Sequence, residues 1–101
     1  MGLVSSDPLP DWVLTRRRAI GARIRSRRLT QNLTQERLGE LVAIDSKTVH
    51  RIEYAISDPP LSTVLRIAHA LDLAVEDLLR DDAPARPRRG TQGDRGSTSA
   101  T

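Results

Sequence analysis

Five side chains able to donate or accept hydrogen bonds at the length of a base edge, Ser46, Lys47, His50, Arg51 and Tyr54, recur within one short stretch of the chain. Wound as a helix at about 100° per residue, they fall within an arc of roughly 140° that contains no Leu, Ile or Val. Thr48, Val49, Ile52 and Glu53 take the opposite side. A helix over 45–55 therefore docks one face on a core and holds out a polar face. A helix of this size fits the major groove of duplex DNA, its N-terminal end with Ser46 and Lys47 entering first. Any amphipathic helix also shows a polar face to water, so the arc alone does not choose. The residues upstream favour the groove. Thr34 and Gln35 open the preceding helix, where free N–H groups and the helix dipole offer an anion site suited to a phosphate. One helix grips the backbone and the next reads bases.

Other chemistries have few residues to carry them. The 101-residue chain contains no cysteine, which removes disulfides, thiolate zinc sites, iron-sulfur clusters and cysteine nucleophiles and points to a reducing cytoplasm. Its two histidines, His50 and His69, do not make up a metal-ligand set. No nucleophile, base and oxyanion donor converge in the sequence, so we expect neither an enzyme nor a cofactor. No apolar run reaches the roughly 18 residues of a membrane span, and the first residues carry Asp7, Pro8 and Pro10 where an export signal has its apolar core. The net charge is +3, and it is unevenly placed. Arg16, Arg17, Arg18, Arg23, Arg25, Arg27 and Arg28 follow one another without an acid, whereas Asp72, Glu76, Asp77, Asp81 and Asp82 crowd the far end of the periodic region. A basic side and an acidic side are implied, with Arg16 and Arg17 as candidate phosphate contacts.

The elements that must position these residues are legible from caps and periodicity. Almost all apolar residues are aliphatic, with Trp12 and Tyr54 the only aromatics, a palette that favours packed helices in one domain. Residues 1–10 read as a flexible leader, 11–82 as the folded domain and 83–101 as a basic disordered tail. Asp11 is the expected N-cap of a first helix with Val13, Ile20 and Ile24 inward, Trp12 packing over the bundle, and Asn32 as a left-handed stop. Leu33-Thr34 and Ile44-Asp45 repeat one device, a cap preceded by an apolar staple onto Leu38 and Val49 respectively. Helix two is expected to bury Leu38, Leu41 and Val42, and helix three Val49, Ile52 and Ile56. Asp58 with Pro59 and Pro60 stops the chain and can cap a fourth helix with Leu61, Val64, Leu65, Ala68 and Leu71 inward. A fifth carries Val75, Leu78 and Leu79, the first choice for a subunit surface. Helices are thus predicted over 12–31, 34–42, 45–55, 60–71 and 75–80.

The blocks Leu33-Thr34-Gln35-Glu36-Arg37-Leu38, Ile44 through Glu53, Asp58 through Leu65 and Ile67 through Leu71 closely resemble the phage-repressor and Cro class of helix-turn-helix proteins, the xenobiotic-response-element family. The resemblance covers about residues 17 to 79. It implies an all-α, compact five-helix bundle of the lambda-repressor-like DNA-binding type, with helices two and three as the DNA-binding pair. Carried over by position, Thr34 and Gln35 contact phosphate, with Gln35 also touching a base, Ser46, Lys47 and Arg51 meet base edges with His50 between them, and Arg28 and Glu53 form a partly buried ion pair between helices one and three. His50 is expected to join the base contacts and Thr48 and Tyr54 the phosphate contacts. The implied partner is double-stranded DNA, an inverted repeat bound by a homodimer, and the implied function is transcriptional regulation. An antitoxin or adaptor using the same fold to hold a protein partner is the alternative, although the tail has few apolar residues for that purpose. Where the family usually has Gly in the turns after helices two and three, this chain has Ala43 and Ala55. If both keep a left-handed backbone, each costs roughly 1 to 2 kcal/mol.

Overall fold

Two devices visible in the sequence set the middle of the fold. Thr34 Oγ1 accepts a hydrogen bond from the Arg37 N–H at 2.9 Å and Asp45 Oδ1 from the Thr48 N–H at 2.7 Å, so each side chain satisfies a donor that the first helical turn leaves open. They start α2 (Gln35–Val42) and α3 (Ser46–Glu53) in the computed structural model, which describes residues 8–81. These helices are flanked by α1 (Asp11–Thr30), α4 (Leu61–Ala70) and α5 (Val75–Leu79). All regular elements among the described residues are helices. The leader up to residue 7 and the tail 83–101 lie outside the described residues.

Helices α1 and α4 begin differently from expectation. Pro10 and Pro60 occupy the N-cap positions without a side-chain cap, and Asp11 is already the first helical residue. Each proline's carbonyl receives the first helical N–H groups, from Val13 and from Thr63, at 3.0 Å. With proline at both N-caps, no side chain accepts from the first-turn N–H groups of α1 or α4, and Asp58 stands two residues before the α4 cap.

The helices end by one shared motif. Asn32, Ala43, Ala55 and Asp72 have φ of 59°, 64°, 58° and 52°. In each case the following residue's N–H reaches back five positions: Leu33 to Arg28, Ile44 to Gly39, Ile56 to Arg51 and Leu73 to Ala68, at 2.7 to 3.0 Å. This is the Schellman stop, normally completed by glycine. All four helices before α5 use it, with a non-glycine residue every time.

The core consists of Ile24, Leu38, Val42, Val49, Ile52, Ile67, Ala68, Leu71 and Leu78, supported by Ile20, Leu33, Ile44, Val64, Leu73, Val75 and Leu79. α2 packs on α3 and α4, α1 on α3 and α5, and α4 on α5. Several expected core residues lie outside it. Leu41, Ile56, Leu61 and Leu65 are exposed, as is Trp12, which keeps 63% of its surface. Leu41 lies about 100° from Val42 around so short a helix, and Leu65 is displaced similarly from Val64. Ile67 takes the central place in α4. In α5, Leu78 is fully buried, and Val75 and Leu79 are partly buried against the core.

Candidate nucleic-acid interface

The turn between α2 and α3 places the two helices in direct contact. Gly39 makes this possible, because a Cβ there would lie 2.4 Å from the Ile44 carbonyl oxygen. Gly21 does the same for α1, where a Cβ would meet the Glu53 carbonyl oxygen at 2.4 Å and that of Ile52 at 2.7 Å. α1 therefore presses backbone against backbone on the end of α3.

That contact is locked by charge. Arg28 Nε donates to Glu53 Oε2 at 2.6 Å and a terminal nitrogen to Oε1 at 3.1 Å, while the other terminal nitrogen donates to the Leu33 carbonyl at 2.7 Å. Both residues are buried. The hydrogen bond to Glu53 raises the Arg28 pKa above the ordinary guanidinium value against the opposing effect of burial. Gln35 Nε2 adds a bond to Glu53 Oε1 at 3.1 Å and lies 3.5 Å from His50 Nδ1. Glu53 thus ties α1, α2 and α3 into one unit.

Outside this lock, α3 presents Lys47, His50, Arg51 and Tyr54 exposed and Ser46 half-exposed, while Val49, Ile52 and Glu53 face inward. The His50 and Tyr54 rings lie 4.7 Å apart at 40°. Thr34 is exposed at the start of α2, and Thr48 is half-buried in the first turn of α3. Hydrogen bonds from the Thr48 side chain and then its backbone N–H hold the Asp45 carboxyl below the usual carboxylate range, with Arg51 and Lys47 contributing. The N-terminus of α3 thereby keeps an ionised cap.

Arg16 and Arg17, the expected phosphate contacts on α1, have acceptors inside the domain. One terminal nitrogen of Arg16 donates to the Leu79 carbonyl and the other lies 3.8 Å from Asp81, and Arg17 donates to the Ala55 carbonyl at 3.3 Å. The Nε of each is buried. Their acceptors are carbonyl groups at or just beyond the ends of α5 and α3, where the helix dipole favours a cation.

The family described as a helix-turn-helix domain matches residues 19–81. The chain belongs to the helix-turn-helix family. Among solved structures it is similar to the P22 c2 repressor protein in complex with the synthetic operator 9T in the presence of Tl+, at 28% identity and a TM-score of 0.58. The match covers 62% of this chain and 96% of that one. No curated protein matches the sequence. The architecture is lambda-repressor-like.

Within this helix-turn-helix domain, sequence reasoning missed the two glycines and most of the work done by the arginines. Gly21 and Gly39 stand inside helices, where an isolated glycine is itself a signal of close backbone approach. The arginines gave no comparable signal. Arg27 donates to the carbonyls of Leu71 and Asp72 at 2.9 and 3.1 Å, Gln31 to that of Leu71 at 2.8 Å, and Arg23 to that of Leu78 at 2.9 Å. These acceptors close the ends of α4 and α5, far away in sequence.

Proposed function

We propose that this helix-turn-helix protein is a transcriptional regulator that binds double-stranded DNA sequence-specifically, with α3 in the major groove. One observation carries the reading: α3, clamped from behind by Arg28 and Glu53, presents an exposed face of hydrogen-bonding side chains and none that is aliphatic. The operator complex of the similar P22 c2 repressor supports it. Ser46, Lys47, His50 and Arg51 meet base edges, and Gln35 meets a base while bracing Glu53. Thr34, Thr48 and Tyr54 contact phosphates. Two copies bind an inverted repeat, protein symmetry matching site symmetry.

Selection of bound duplexes from a random pool is the test, because it reports binding, site and symmetry together. The expected result is a preferred inverted repeat. Arg51→Ala then costs about 1 to 3 kcal/mol on that site and much less on scrambled DNA, since a bidentate base contact discriminates and a phosphate contact does not. Retention of the full specific-to-scrambled affinity ratio by Arg51→Ala and by Lys47→Ala would remove α3 as the reader and move the protein-binding adaptor reading ahead.

A further inference from the structure

Five of the seven arginines on α1 have acceptors inside the domain: Arg16, Arg17, Arg23, Arg27 and Arg28. Arg18 and Arg25 have no hydrogen-bond or ion-pair acceptor among the described residues, and both are exposed. They stand seven positions apart, two turns along the same face of α1, or about 10 Å along its axis. Between them lies an open groove of about 750 Å³ against the C-terminal end of α3, whose lining includes Ala22, Ser26, Thr30 and Tyr54.

Resting on the DNA-binding reading above, we infer that this groove receives the sugar-phosphate backbone of the bound duplex, with Arg18 and Arg25 as its phosphate contacts. Charge makes the first argument. The single acid lining the groove is Glu53, whose carboxylate is buried and already bonded to Arg28 and Gln35. No carboxylate in the lining competes with a phosphate for either free guanidinium. Continuity makes the second. The Arg25 guanidinium lies 5.9 Å from the centroid of the Tyr54 ring, and Tyr54 in turn packs at a tilt against His50 of the reading face. A strand leaving the bases read by α3 would pass His50 and Tyr54 before it meets Arg25 in the groove. Shape makes the third. The small side chains of Ala22, Ser26 and Thr30 leave room for a strand, with Leu29 the one aliphatic wall of the groove. A partner protein's apolar helix would instead have to desolvate two unpaired cations. The groove is thus a second backbone grip on the α1 side of the reading helix, opposite in role to the arginines that face α4 and α5.

The experiment is a salt titration of the full chain on the selected duplex and on a scrambled one, comparing wild type with Arg18→Gln, Arg25→Gln, their double variant and Arg16→Gln. Thermal melts confirm that each variant is folded. Each groove variant is expected to weaken both duplexes by the same factor and to reduce the slope of log affinity against log salt by about 1, the double variant by about 2. Arg16→Gln should leave the slope unchanged. Wild-type slopes in the folded Arg18→Gln and Arg25→Gln proteins, with DNA still bound, would overturn the groove assignment alone and leave the groove to a protein partner. If wild type binds neither duplex, the DNA-binding reading falls and the groove assignment with it.

Discussion

Ala43 and Ala55 carry the left-handed backbone that their neighbours' hydrogen bonds demand, with φ of 64° and 58°. For an L-residue with a Cβ this conformation costs roughly 1 to 2 kcal/mol. Glycine removes that cost but loses about 0.5 to 1 kcal/mol more conformational freedom on folding. Ala43→Gly and Ala55→Gly are therefore each expected to stabilise the domain by up to about 1 kcal/mol, or about 4 to 8 °C in Tm for a domain of this size. Ala43 is exposed and gives up little packing, so its gain should be the larger; Ala55 is half-buried. Equal or lower melting temperatures for both variants would show that the turns hold no such strain. The left-handed positions were legible because two alanines stand where the family pattern has glycine. The positions of Leu41, Ile56, Leu61 and Leu65 were not legible, because an apolar side chain at the margin of a short helix reads the same whether a neighbouring element covers it or not.

At the scale of the element, the start and stop of α2 and α3 were readable from the sequence because capping is local: Thr34 and Asp45 act on N–H groups three residues away. The link between α1 and α3 was readable only through family resemblance, since its partners lie 25 residues apart. Its energetics follow from burial. Removing one member leaves the other charged, buried and unpaired, so Glu53→Ala or Arg28→Ala alone is expected to cost about 3 to 5 kcal/mol. Replacing both by apolar residues of similar volume, Arg28→Met with Glu53→Leu, should recover most of that loss, because the desolvation cost disappears together with the attraction. The same double variant should still bind the selected duplex less selectively, since Gln35 loses its acceptor and α3 its fixed angle. Denaturant melts of the two single variants and the double variant provide the check. A double variant no more stable than the worse single one would place the pair's contribution in specific packing and not in charge.

Across the whole molecule, the run of basic residues and the cluster of acids do not form two separate sides. Arg16 reaches Asp81, and Arg23 and Arg27 reach the carbonyl ends of α5 and α4, so much of the positive charge of α1 faces the region expected to be acidic. Total charge could not reveal this, because the acceptors are backbone groups with no signature in the sequence. Of the arginines on α1, Arg18 and Arg25 stay outward, beside Lys47 and Arg51 on the exposed face of α3.

The arginine contacts between α1 and α5 are expected to govern the order in which the chain assembles and comes apart. Helices α2 and α3 meet across a short turn, so their contact closes at little entropic cost. The bonds from Arg23 to Leu78 and from Arg16 to Leu79 join residues 55 and 63 positions apart. α5 is five residues long and contributes a single fully buried side chain, Leu78. It is therefore expected to dock last and to open first, as a local unfolding event that leaves the rest of the bundle intact. Hydrogen exchange should show the amides of α5 losing protection well before those of Val49 and Ile52, and Arg16→Ala with Arg23→Ala should widen that interval by accelerating α5 alone. Protection of α5 equal to that of α3 would mean instead that the domain opens only as a whole. On that expectation the arginines of α1 act as a clock as well as a clasp, setting how briefly the last helix stays away.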